Sequence, residues 1–179
     1  KNLNSRLDTL SITTEEKFME VFKSHSHISI EGNLKAGKST LAKYLCLKLS
    51  MEYVPLLLTE YDFGSKNNKN VIKYALEEQY GASADCDEFL QLDKEKRVLI
   101  VDRHDRVTKK RWDSFFEEYE SQFGHIILFC GIDWNINIKE KALEELEEKE
   151  VLYLRICPFY YAKREELIQK ICNSFQERN

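Results

Sequence analysis

An α/β fold built on five core strands is what the sequence predicts, and three observations carry that prediction. Short apolar runs alternate with helix-periodic segments along most of the chain, the order that produces a parallel sheet covered on both faces. Two of the runs, 98–101 and 126–130, are continuously apolar, as strands buried on both faces are. A short strand with Ile28 and Ile30 apolar, 27–31, leads straight into a glycine-bounded loop and then a helical stripe.

Each element has a local cause. Thr13, with Glu16 three residues on, forms a capping box, and the helix it opens runs to about Ser24 with Phe18, Val21 and Phe22 inward. Residues 27–31 read as a strand ended by Gly32. From 39 to 50, Leu41, Leu45 and Leu49 recur every four residues beside Ala42 and Cys46, which defines one helical face. Residues 54–59 form a strand in which Pro55 is tolerable because it falls near the start. A helix over 70–80 turns Val71, Ala75 and Leu76 inward and stops at Gly81. A short helix near 87–92 precedes the strand 97–102. The helix 109–123 buries Trp112, Phe115, Phe116 and Tyr119, and 125–130 is the fourth strand. A helix at 139–149, a fifth strand at 151–156, a break at Pro158 and a last helix at 162–175 complete the chain.

Composition sets the boundaries of function. The 179 residues fit one domain, large enough to bury about 70% of its unfolded surface without disulfides or metal. Six Gly and two Pro exclude linker-like or collagen-like architecture. A net charge of −4 and a pI near 5.7 argue against a dedicated nucleic-acid binder. No apolar run approaches the ~20 residues that span a bilayer, and residues 1–14 lack a signal-peptide core. The five cysteines are widely spaced with no C-x-x-C pair, as expected of reduced thiols in a cytoplasmic protein. The first residue is Lys1 rather than Met, so a piece of a longer multidomain protein is expected.

One stretch carries chemistry. Gly32-Asn33-Leu34-Lys35-Ala36-Gly37-Lys38-Ser39 matches G-x-x-x-x-G-K-[ST] without gaps, between an apolar strand and an amphipathic helix. The glycines let backbone N–H groups turn around phosphate oxygens, and the helix offers its positive end. Lys38 is expected to bridge the β- and γ-phosphates of ATP, the Ser39 hydroxyl to ligate Mg²⁺, and Thr40 to stand near the α-phosphate. Asp102 ends an apolar strand 64 residues after Lys38 and is the expected second holder of Mg²⁺. The expected architecture is a three-layer P-loop NTPase fold with a mostly parallel sheet, residues 27–179, behind a helical lead-in at 1–26. ATP or ADP with Mg²⁺ is the expected ligand.

Beyond these motifs the chain resembles regulatory ATPases of the STAND type, NACHT-like modules in particular. Ile100-Val101-Asp102-Arg103-His104-Asp105 is similar to that family's apolar strand followed by D-x-x-[DE]. Ile127-Leu128-Phe129-Cys130-Gly131 looks like its sensor-1 segment. Leu154-Arg155-Ile156-Cys157-Pro158-Phe159, then Lys163-Arg164-Glu165-Glu166-Leu167-Ile168, resembles the family's closing "I-x-P-φ … R-x-E-L-I" run. The resemblance implies a nucleotide-driven switch in bacterial defence or signalling. It would be attached to effector and sensor domains and homo-oligomeric in the full-length protein. Arg106 departs from the family's frequent third acidic residue, and Arg103 fills the position where many ATPases keep a catalytic Glu. Slow or absent hydrolysis is therefore expected, with Asp105 orienting water and Lys38 stabilising charge.

An alternative stays open. Ile30-Glu31-Gly32-Asn33 with Ala36–Thr40 is similar to the opening of deoxynucleoside kinases, Glu60 stands where those enzymes place a base, and Asp102-Arg103-His104 looks like the D-R-H of viral thymidine kinases. Against it, residues 113–154 contain no Arg to close over a transferring phosphoryl group. His25, His27 and His125 read as structural, while His104 is a candidate for a nucleotide-proximal role. Asp133 and Arg155 or Arg164 are candidate phosphate sensors, 109–111 a basic turn, and 159–161 an aromatic patch.

Overall fold

The computed structural model describes residues 12–64, 67–132 and 151–157. Five strands, β1 (His27–Glu31), β2 (Val54–Leu58), β3 (Arg97–Val101), β4 (His125–Cys130) and β5 (Val151–Arg155), form one sheet in the order β2-β3-β4-β1-β5. Every pairing among the described residues is parallel. All the strands therefore end on one edge.

The described helices are α1 (Glu15–Ser24), α2 (Lys38–Leu49), α3 (Asn68–Tyr80), α4 (Cys86–Gln91) and α5 (Lys109–Tyr119). They cover both faces of the sheet, giving three layers. On one face Leu56, Leu99, Val101 and Ile126 pack against Val71, Ile72 and Ala75 of α3, Phe89 of α4 and Phe115 of α5. On the other, Ile28, Ile30, Ile100 and Phe129 pack against Phe18 and Phe22 of α1 and Ala42, Leu45 and Leu49 of α2. Alternate residues of β3 enter opposite cores, which is why 97–101 is apolar at nearly every position and buried throughout.

Several boundaries differ from expectation, each for a local reason. Thr14, not Thr13, caps α1, its hydroxyl accepting the Lys17 N–H at 3.3 Å. The sheet-side helix expected over 109–123 closes at Tyr119 and tightens into a 3-10 turn, Glu120–Gln122. Its Phe115 and Tyr119 are buried, whereas Trp112 and Phe116 are only partly covered. Pro55 lies second in β2, which among the described strands pairs with β3 alone, so its missing N–H costs no ladder bond on the other side. The basic turn 109–111 is not wholly solvated: Arg111 donates to Asn68 Oδ1 at 2.6 Å and to the Phe63 carbonyl at 3.3 Å. The predicted helices at 139–149 and 162–175, Asp133, Arg164 and the 159–161 patch lie outside the described residues. No described helix is long and apolar enough to cross a membrane.

Candidate nucleotide site

The site grows from the edge where the parallel strands end. After β1 the chain turns through residues 32–37 and enters α2 at Lys38. Gly37 stands at φ +91°, the left-handed region that only glycine occupies without strain, and there it serves as the N-cap of α2. Lys35 shares that region at φ +62°. Gly32 is needed for space instead: a Cβ there would stand 3.3 Å from Ala36 Cβ and 3.4 Å from Ile156 Cβ.

This geometry leaves donors pointing outward. The first backbone bond of α2 is Leu41 N–H to the Gly37 carbonyl at 2.9 Å, so the amides of Lys38, Ser39 and Thr40 precede the helical ladder. α2 has no side-chain cap and no acidic residue in its first turn, whereas α1 has both. Its positive end is thus left uncompensated. Lys38 Nζ arches back to donate to the Gly32 carbonyl at 2.7 Å and the Asn33 carbonyl at 2.9 Å, holding its charge over the loop. Asn33, Leu34, Ser39 and Thr40 are exposed.

On the same sheet edge, with β4 between, stand the carboxylates after β3. Asp102 is 7% exposed, and its Oδ1 is buried without a hydrogen-bond partner among the described residues. Asp105 lies in the 3-10 turn His104–Arg106, its Oδ1 likewise buried and unpartnered among the described residues. The other oxygen, Oδ2, would be 3.3 Å from a Cβ on Gly131, just past β4. Cys130 links these parts. Burial pushes its thiol up to about 11, and the nearby charges of Asp105, Glu31 and Lys38 also act on it. Gly32 N–H donates to the Cys130 carbonyl at 3.2 Å and Glu31 is in register with Cys130, so the start of the phosphate loop, the end of β1 and Asp105 meet at the end of β4. Among the described residues no three metal-ligating side chains cluster. A carboxylate with one buried, unpartnered oxygen on the same sheet edge as the phosphate loop fits Mg²⁺, which keeps waters and shares phosphate oxygens rather than taking an all-protein cage.

Two ion pairs flank the site, and neither was legible in the sequence. Arg103, left-handed at φ +58°, donates to Glu60 Oε1 at 2.7 Å, and the carboxylate holds the guanidinium above its ordinary pKa range. Arg155 of β5 pairs with Glu31 of β1 through both Nε and Nη2. His104 is wholly buried, 5.5 Å from the Trp112 ring, with Nδ1 3.2 Å from the Phe129 carbonyl, and burial lowers its pKa to about 4. His27 and His125 are also structural, contacting Glu120 at 3.0 Å and Phe22 at 4.3 Å between rings.

No protein-family model matches the chain, and no curated protein matches it in sequence. Solved structures do match in shape. ORC from Drosophila, bound to DNA, superposes with a TM-score of 0.56 over 80% of this chain and 29% of its own, at 7% identity. ORC2 protein of Aeropyrum pernix, in ADPNP-ADP complexes, superposes with a TM-score of 0.52 over 87% of this chain and 49% of its own, at 14% identity. The fold is that of P-loop NTPases. The chain spans less than half the length of each of these two matches, and at such identities the likeness concerns the fold alone.

Proposed function

We propose that the chain is a regulatory nucleotide-binding module that holds Mg-ATP and passes its nucleotide state to attached domains, with slow or absent hydrolysis. The observation that carries this reading is the phosphate loop itself. Gly37 is left-handed at an uncapped helix start, and Lys38 Nζ lies over the loop carbonyls. Residues Gly32, Asn33, Leu34, Lys35, Ala36, Gly37, Lys38, Ser39 and Thr40 would wrap the phosphates, with backbone amides as donors. Ser39 and Asp102 are the side chains that would hold Mg²⁺, which when bound neutralises phosphate charge and aligns the γ-phosphate. The ADPNP and ADP of the Aeropyrum pernix ORC2 structure support a nucleotide on this fold.

Slow turnover is supported by the residue after Asp102. Arg103 stands next in the chain and is tied to Glu60, so no carboxylate occupies that position. Asp105, beside Gly131, is left to orient a water, and Lys38 to stabilise the developing charge. The STAND or NACHT-like assignment, effector and sensor domains, oligomerisation and a role in bacterial defence or signalling rest on the sequence resemblance, and a cytoplasmic location rests on the widely spaced cysteines. The mild acidity that argued against nucleic acid gains no support from the structural neighbours, one of which is bound to DNA. DNA therefore returns as a candidate partner of the whole protein.

Calorimetry with ATP and ADP, with and without Mg²⁺, tests the central reading. Lys38→Ala removes a cation that makes charge-assisted bonds to phosphate, so affinity should fall at least about a hundredfold. Equal binding by wild type and variant would overturn the phosphate-loop reading. A second reading, phosphoryl transfer to a nucleoside, is favoured by Glu60 and Arg103 lying together beside Asp102. Transfer of labelled γ-phosphate to a nucleoside panel would decide for it.

A further inference from the structure

The end of β5 grips the start of the phosphate loop in three ways. Glu31 and Arg155 are register partners across β1 and β5, and the Ile156 N–H donates to the Glu31 carbonyl at 2.8 Å. Ile156 also packs where a Cβ on Gly32 would stand. Third, the Arg155 guanidinium pairs with the Glu31 carboxylate. The two side chains are unequally covered: that of Glu31 is 10% exposed and that of Arg155 61%.

A buried carboxylate immediately before the first glycine of a phosphate loop is a conflict of charge. ATP carries several negative charges, and in a low-dielectric site a like charge within a few ångströms acts on them with little screening. Lys38 is engaged with the loop carbonyls and, on this reading, with the phosphates. We propose that Arg155 is a positioning residue for nucleotide binding: it neutralises Glu31 from the neighbouring strand, so that the loop it adjoins accepts a polyphosphate. The inference rests on the phosphate-loop reading above and adds to it a residue from a strand outside the loop and its helix. Arg155 acts through Glu31 and does not touch the nucleotide.

A double-mutant cycle tests this at low ionic strength, by titration calorimetry on wild type, Arg155→Ala, Glu31→Gln and the double variant. Arg155→Ala should weaken ATP at least about tenfold and ADP by less, because the penalty scales with phosphate charge. Glu31→Gln should bind near wild type, and adding it to Arg155→Ala should restore affinity to within about threefold, the signature of coupled charges. Arg155→Lys, which keeps the charge, should bind near wild type even if the alanine variant folds poorly. Wild-type affinity in a folded Arg155→Ala would overturn the proposal alone, as would a double variant as weak as Arg155→Ala or equal losses for ATP and ADP. Failure of wild type to bind ATP would overturn the phosphate-loop reading and this proposal with it.

Discussion

Asp102 follows β3 with a carboxylate oxygen buried and lacking a hydrogen-bond partner among the described residues. Such an oxygen forfeits its hydration without recompense until a cation or a water reaches it. Asp102→Asn removes the charge while keeping the shape. It should stabilise the nucleotide-free protein by about 1 kcal/mol, or roughly 2–4 °C in Tm, and abolish the Mg²⁺ dependence of ATP binding. A variant that melts lower in chelator, or still responds to Mg²⁺, would refute the assignment. His104 gives a second prediction at this scale. Its pKa is lowered from 6.5 to about 4, so between those values the unfolded chain binds more protons than the fold. Stability is fully present above about pH 6.5 and is lost as pH falls toward 4. From pH 7 to pH 5 the loss should be about 2 kcal/mol, and His104→Asn should flatten that slope in thermal unfolding. An unchanged slope would mean that another group governs acid sensitivity.

At the scale of elements, α3 and α5 are joined by a polar clasp set within an apolar face. Asn68, 7% exposed, donates to the Ser114 carbonyl at 3.1 Å and Glu118 Oε2 at 2.7 Å, and accepts from Arg111 at 2.6 Å. Asn68→Ala strands several of these groups together. It should cost about 2–3 kcal/mol in chemical denaturation while leaving nucleotide affinity within about threefold, since the clasp lies on the face away from α2. A loss below about 0.5 kcal/mol would show that water replaces the clasp without penalty. The contrast with α2 shows what the sequence could reveal. The strand, loop and helix from residue 27 to residue 49 are specified by neighbours in the chain: alternate isoleucines, two glycines and leucines four apart. Local chemistry makes local structure, so the strand, turn and helix of this segment were readable. The pairs Glu60–Arg103 and Glu31–Arg155 were not, although their geometry is simple. Leu58 is in register with Val101, which puts Glu60 and Arg103 on one level two residues past their strands. No periodicity encodes which strand lies beside which, and the order β2-β3-β4-β1-β5 had to be seen. Likewise the histidines carried no signal of burial, because only tertiary packing encloses His104 behind Trp112.

Across the whole molecule the two hydrophobic cores share a single sheet, and the candidate site sits on the edge where both meet. α2, which begins at the phosphate loop, belongs to one core; Val107 and α5, which come after the Asp102 turn, belong to the other. A ligand held between Lys38 and Asp102 therefore tethers elements from both faces, and neither core can open without releasing it. Binding to the native state alone contributes RT ln(1 + [L]/Kd), about 2.7 kcal/mol at a hundredfold excess over Kd. At roughly 2–4 °C per kcal/mol for a chain of this size, saturating Mg-ATP should raise Tm by about 5–11 °C. The rise should appear as one transition moving as a unit, because β3 sends alternate residues into both cores and couples their unfolding. Differential scanning calorimetry of wild type and Lys38→Ala checks this directly, with the variant expected to shift by less than about 2 °C at the same concentration. A transition that splits under Mg-ATP, one half moving and the other staying, would mean that the ligand engages only the α2 face. The carboxylates after β3 would then have no part in holding it.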